Sequence, residues 1–539
     1  MIESIFDKVE VFNQRNSSGV FDFSRLIDFL CGDNIDNANK VRQQRRFSYF
    51  SAFLASRGVK SAVIEEKYVD RDYIQDFANY YSLCFTEYPR FCKRCHFFTK
   101  TYSKADIERI VVNCDADEVE ALRKNYLGFF VFRPLPVVVF GRTCFRPEEK
   151  IKPHQSYLAV VKTIVNFFGV ELEVEATPFQ EQDSTVSACA TSALWTSFQI
   201  TRQLFGHLPY APSAITRLAT EHSGPSTGNI LPNHGLLREE MIHAIGRVGL
   251  GFWCETLQMT VGMDYARLKI ISAAYMAIGL PVILIVELNR ICRGSSSSMG
   301  RHAIVACGYR FRKTCPMPEE YCGMPNKYNN IEALYCVDDQ VGPYCQMIEM
   351  GHNTRAPFQW KTEWLESGRE KICCHVTDVL VPLYHKIRVS HDEIFACAIE
   401  FFRSIRCFLC DVGEKRNIFH NTILNIRLTD SYALKQYVKG IEQFSYEVKS
   451  KVLLASLPRY MWLVSADVGE IPILLFAIDA TDVANVVHVE FSVKYDDFLD
   501  PAVNFLASES KLFYENSLTL AYLNDCLCCC ENNKTTMPK

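Results

Sequence analysis

The chain has no excess of charge of either sign. Its 539 residues carry 58 Lys and Arg against 62 Asp and Glu, a net charge of −4. A protein held on phosphate backbones needs a basic surface. The densest basic run here, Arg42-Gln-Gln-Arg-Arg46, reads as an ordinary solvated face, so no nucleic acid is expected as a partner. Long apolar runs are also missing. The one stretch that imitates a membrane span, Ile270 to Val286, is interrupted by Gly279-Leu280-Pro281. It reads as a buried helix followed by a buried strand, with no membrane partner. The first residues, Met1-Ile-Glu-Ser-Ile-Phe-Asp-Lys8, lack a basic segment followed by an apolar one, so a cytoplasmic location is expected. Internal repeats and long linkers are absent too.

Cysteine is what the chain does have, at 23 residues. That number is odd and falls below the roughly 8–10% of a disulfide scaffold. In a reducing compartment most of these thiols are expected to act as small buried hydrophobes.

The chain divides into a mixed α/β region over 1–150, a central region over 151–385 and an α/β region over 386–539. Asp70 is a plausible N-cap for a helix whose stripe runs through Tyr73, Ile74, Phe77, Tyr80, Tyr81 and Cys84. Gly128 to Phe140 reads as a strand, made an edge or bent strand by Pro134 and Pro136. Pro281–Leu288 and His302–Tyr309 read as a hairpin joined by a flexible loop, Ser295-Ser-Ser-Ser-Met-Gly300. A second hairpin is expected from Tyr460 to Ile478.

The most informative segment runs from Pro178 to Gly206. From Cys189 onward it has the pattern of an amphipathic helix with Gly206 as C-cap. Cys189 then sits in the first turn, where unpaired N–H groups and the positive end of the macrodipole favour a thiolate. Downstream, His302 opens an apolar strand and Asp338 ends another. A carboxylate beside the imidazole on a neighbouring strand fixes its tautomer. Asp339 is adjacent, but alternation along a strand turns it to the opposite face, so Asp338 is preferred. Gln182, seven residues before Cys189, offers an amide to an oxyanion, as does Gln180. Trp195 reads as core, and His222, His234 and His243 as surface or core histidines. Cys92-Lys-Arg-Cys-His96 has the letters of a haem attachment site without its context, and it lacks the further ligand pair of a zinc site. Cys526-Leu-Cys-Cys-Cys530 reads as a thiol cluster near a frayed tail.

The order Gln182, Cys189, His302, Asp338 resembles that of papain-like cysteine peptidases. Within that superfamily the chain is most similar to the bacterial peptidases that process double-glycine leader peptides, over about residues 175–345. The resemblance implies an α+β fold with the Cys helix packed on an antiparallel sheet carrying His and Asp. It also implies a Cys189–His302–Asp338 triad, with Gln182 in the oxyanion hole, no cofactor and no metal. The expected activity is hydrolysis of a peptide or isopeptide bond in a specific peptide or protein substrate. The alternatives are a silent peptide-binding module and an acyltransferase using the same triad.

Overall fold

The computed structural model describes residues 9–148, 156–183, 188–221, 235–259, 265–292, 295–313, 318, 320–349, 360–361, 370–411, 422–442, 444–468, 471–481 and 489–494. The Cys526–Cys530 cluster, His222 and His234 lie outside them. The protein is mixed α+β, and the paired strands of its sheets are antiparallel. It divides into two compact units. The first comprises residues 1–262, 279–310 and 332–382, and the second residues 263–278, 311–331 and 383–539.

In the first unit, β1 (Val9–Phe12), β2 (Ser61–Tyr68), β3 (Cys92–Phe98), β4 (Tyr126–Phe132) and β5 (Phe140–Phe145) form a five-stranded sheet in chain order. Two helices inserted along it matter for the site: α1 (Arg45–Ser56) and α2 (Arg71–Asn79). Asp70 caps α2 by accepting from the Asp72 and Tyr73 N–H groups. The expected stripe to Cys84 is split, because α2 stops at Asn79 and a short 3-10 turn covers Tyr81–Leu83. Pro134 and Pro136 lie in the turn between β4 and β5, and β4 is an interior strand, not an edge. That turn frees the prolines from any ladder N–H and leaves β4 buried along its length. Cys92 and Cys95 sit on β3 at odd spacing, which turns them to opposite faces of the sheet. His96 Nδ1 meets the Tyr126 hydroxyl at 3.0 Å.

The helix α3 (Cys189–Phe205) ends at Gly206 in a left-handed conformation, as the sequence predicts. It is not amphipathic, since every residue from Ala190 to Thr201 is buried. The helix runs through the interior, and some of its polar side chains find partners there. Trp195 Nε1 donates to Asp72 at 3.0 Å, and Thr201 Oγ1 meets His207 Nε2 at 2.9 Å. Arg142 bonds the same Asp72 carboxylate at 2.7 Å, so β5 and α2 together clamp the middle of α3.

A second sheet of the first unit contains β6 (Val282–Cys292), β7 (Ser295–Phe311), β8 (Ile331–Asp338), β9 (Gly342–Glu349) and β10 (Glu370–Leu383). β6 pairs with both β7 and β10, so the strand order closes on itself. The serine run expected as a loop is strand. The β6–β7 ladder continues past a bulge at Leu288/Asn289 to Cys292↔Ser295. Gly300, at φ +107°, allows the bulge, because that backbone conformation favours glycine. His302 is therefore mid-strand, opposite Val286, and does not open the strand.

In the second unit, β11 (Ile423–Asp430), β12 (Tyr460–Val468), β13 (Ile471–Asp479) and β14 (Val489–Lys494) form an antiparallel sheet in chain order. It includes the predicted β12–β13 hairpin. The helix α4 (Tyr265–Met276) packs on β11, and its residues from Leu268 to Met276 are buried. The break expected at Gly279-Leu280-Pro281 falls between α4 and β6. Among the described residues no helix is long and apolar enough to cross a membrane.

Candidate active site

Cys189 opens α3 after Ala188, which has extended backbone angles and no side chain able to cap. The N-cap residue itself therefore supplies no side-chain acceptor to the first N–H groups of the helix. α3 packs on β6, and β6 pairs with β7, which brings His302 to the helix start. The His302 ring is buried. Nε2 meets Asp338 Oδ1 at 2.9 Å, and the Cys189 thiol is among the side chains that favour the charged ring.

Asp338 holds its place through the turn that it starts. The Gln340 N–H donates to Asp338 Oδ1 at 2.9 Å, and the Val341 N–H donates to the Asp338 carbonyl. Burial works against a charged His302. Asp338, joined by Asp339 and Cys189, outweighs it and lifts the ring's pKa well above the ordinary histidine value.

Asp339 does not turn away from the ring. Its Oδ1 lies 3.6 Å from the same Nε2. Strand alternation fails here because β8 ends at Asp338, after a ladder irregularity between Cys336 and Asp338. His302, Asp338 and Asp339 place donor atoms within 4.8 Å of one another. The 2.9 Å contact is that of a hydrogen bond, and a cation there would have to displace the shared proton. A closed structural zinc site also takes four ligands.

Gln182 is half-buried between two fixed neighbours. The Glu181 side chain accepts from the Phe140 N–H at 2.8 Å, and its carbonyl accepts from Arg133 at 3.1 Å. Asp183 accepts from the Tyr81 hydroxyl at 3.0 Å. Among the described residues no bond ties Gln182 to Cys189 or His302. Gln180 is buried as well.

Sequence reading missed Arg46. The Arg42–Arg46 run was expected to be a solvated face, but Arg46 is buried and ion-paired with Glu181. It also reaches the Asp339 carbonyl at 3.4 Å. One turn further along α1, the Tyr49 hydroxyl donates to the Pro343 carbonyl. Helix α1 thus ties the segment before the Cys helix to the turn after Asp338. Its sequence signal was faint: an arginine entering an aromatic helix beside Phe47, Tyr49 and Phe50. Trp195 is fully buried core, and His243 is half-buried on the helix Arg238–Gly246.

No family model, no curated protein and no solved structure matches the chain.

Proposed function

We propose that the protein is a cysteine peptidase or closely related thiol hydrolase of papain-like type. Cys189 is its nucleophile, His302 its general base and acid, and Asp338 the residue that orients the ring. The single observation that carries this reading is the buried His302 ring, bonded to Asp338 and acted on by the thiol of a cysteine at a helix start.

In the resting site His302 carries the proton and Cys189 attacks an acyl carbon as the thiolate. The tetrahedral oxyanion is met by backbone N–H groups at the start of α3, with the Gln182 amide as a second donor. His302 then protonates the leaving amine, and water, deprotonated by the same ring, hydrolyses the thioester. The ring gives one proton to the amine and regains one from water, and Asp338 fixes its orientation.

The test is covalent trapping. The intact protein is incubated with a panel of peptidyl acyloxymethyl ketones and analysed by mass spectrometry. The expected result is one adduct, on Cys189, that is lost in His302→Ala. Adducts spread over the exposed cysteines, or an undiminished adduct in His302→Ala, would refute the proposal.

A further inference from the structure

Asp339 is a buried carboxylate with no structural explanation. Its side chain is 4% exposed, and neither oxygen has a hydrogen-bond partner on another residue. A buried acid left this way costs stability, and native structures hold few of them. The basic side chain closest to pairing with it is His302, whose Nε2 lies 3.6 Å from Oδ1, against 2.9 Å for Asp338. Arg46 fixes the Asp339 backbone by donating to its carbonyl at 3.4 Å, and the Arg46 charge itself is paired with Glu181. The carboxylate thus faces the ring, and the Arg46 charge acts on it from α1 only at longer range than the Glu181 pair.

We infer that Asp339 is a second positioning residue for His302, so that Asp338 and Asp339 share the Nε2 proton and either can hold the ring toward Cys189. This rests on the Cys189–His302 reading above. The consequence is partial redundancy, since loss of one carboxylate lets the other move onto Nε2, while loss of both leaves the buried ring without an acid. Other groups face this pair from each packed element. They are Arg45 and Arg46 from α1, His302 from β7, the Cys374 thiol from β10, and Glu181 through Arg46. Burial, opposed by His302 and seconded by Asp338, raises the Asp339 pKa to about 7. The second carboxylate therefore gains charge near neutral pH.

The test is a double-mutant cycle on full-length protein, read as the rate of Cys189 alkylation by iodoacetamide between pH 5 and 9. The variants are Asp338→Asn, Asp339→Asn and the double, with Asp339→Ala as a second version and circular dichroism as the control for folding. Asp338→Asn is expected to slow alkylation at pH 7 by less than about tenfold. Adding either Asp339 substitution should slow it by a further tenfold or more and shift the pH profile upward. If Asp339→Asn and Asp339→Ala change the rate by less than about twofold in the Asp338→Asn background, the inference is overturned. His302→Ala separates the two claims. A wild-type-like profile in that variant defeats the triad itself, whereas a lost profile with no Asp339 effect defeats only the sharing.

Discussion

At the scale of single residues, position separates Cys189 from the other thiols. Burial pushes the Cys144 thiol up to about 11 and the Cys254 and Cys307 thiols to about 12, which makes them poor nucleophiles at neutral pH. Cys114 and Cys322 are exposed and serve as reference thiols. The helix start at Cys189 and the strand end at Asp338 were legible because both are local patterns. Asp339 was not, because period-two alternation is only a strand rule and the strand ends one residue earlier. That carboxylate leads to a pH prediction. Its folded pKa of about 7 lies above the ordinary 3.8, so the native state holds the extra proton between those values. Stability from this group is therefore present at low pH and is lost as pH rises toward 7 and beyond, by on the order of 4 kcal/mol. Urea melts of Asp339→Asn against wild type should show the variant gaining relative stability at pH 8 compared with pH 4.5. An equal difference at both pH values would contradict this.

At the scale of elements, α1 is the brace that no local pattern announced. Its contacts with Glu181 and with the Asp339–Pro343 turn join residues more than a hundred positions apart, and sequence periodicity carries no such information. Arg46→Met leaves Glu181 buried without its cation, which should cost about 3–5 kcal/mol. Combining it with Glu181→Met should recover most of that loss, as chemical denaturation would show. At Gly342 an added Cβ would come within 2.3 Å of the Tyr49 ring. Gly342→Ala should therefore push α1 off the turn, lowering the melting temperature and slowing Cys189 alkylation together. The hairpins and the break before β6 were legible because glycine, proline and apolar runs mark them. The serine run was not, because a polar sequence can still extend a ladder past a bulge.

At the scale of the whole molecule, the N-terminal region is part of the unit that holds the site. Asp72 and Arg142 anchor Trp195 in the middle of the Cys helix, and Arg46 braces its approach. A chain beginning at residue 151 should therefore lack a cooperative unfolding transition, and calorimetry would show this directly. The α+β class was readable from the alternation of patterns. The union of the first region with the central one was not, because it depends on buried ion pairs between distant segments. The central claim is that His302, held by Asp338, activates Cys189. Its most direct test is the iodoacetamide rate at each cysteine of the intact protein at pH 6.5, resolved by peptide mass spectrometry, for wild type and His302→Ala. The account predicts that Cys189 reacts faster than the exposed Cys114 and Cys322 and loses that lead in His302→Ala. A Cys189 no faster than those two thiols in the wild type would contradict it.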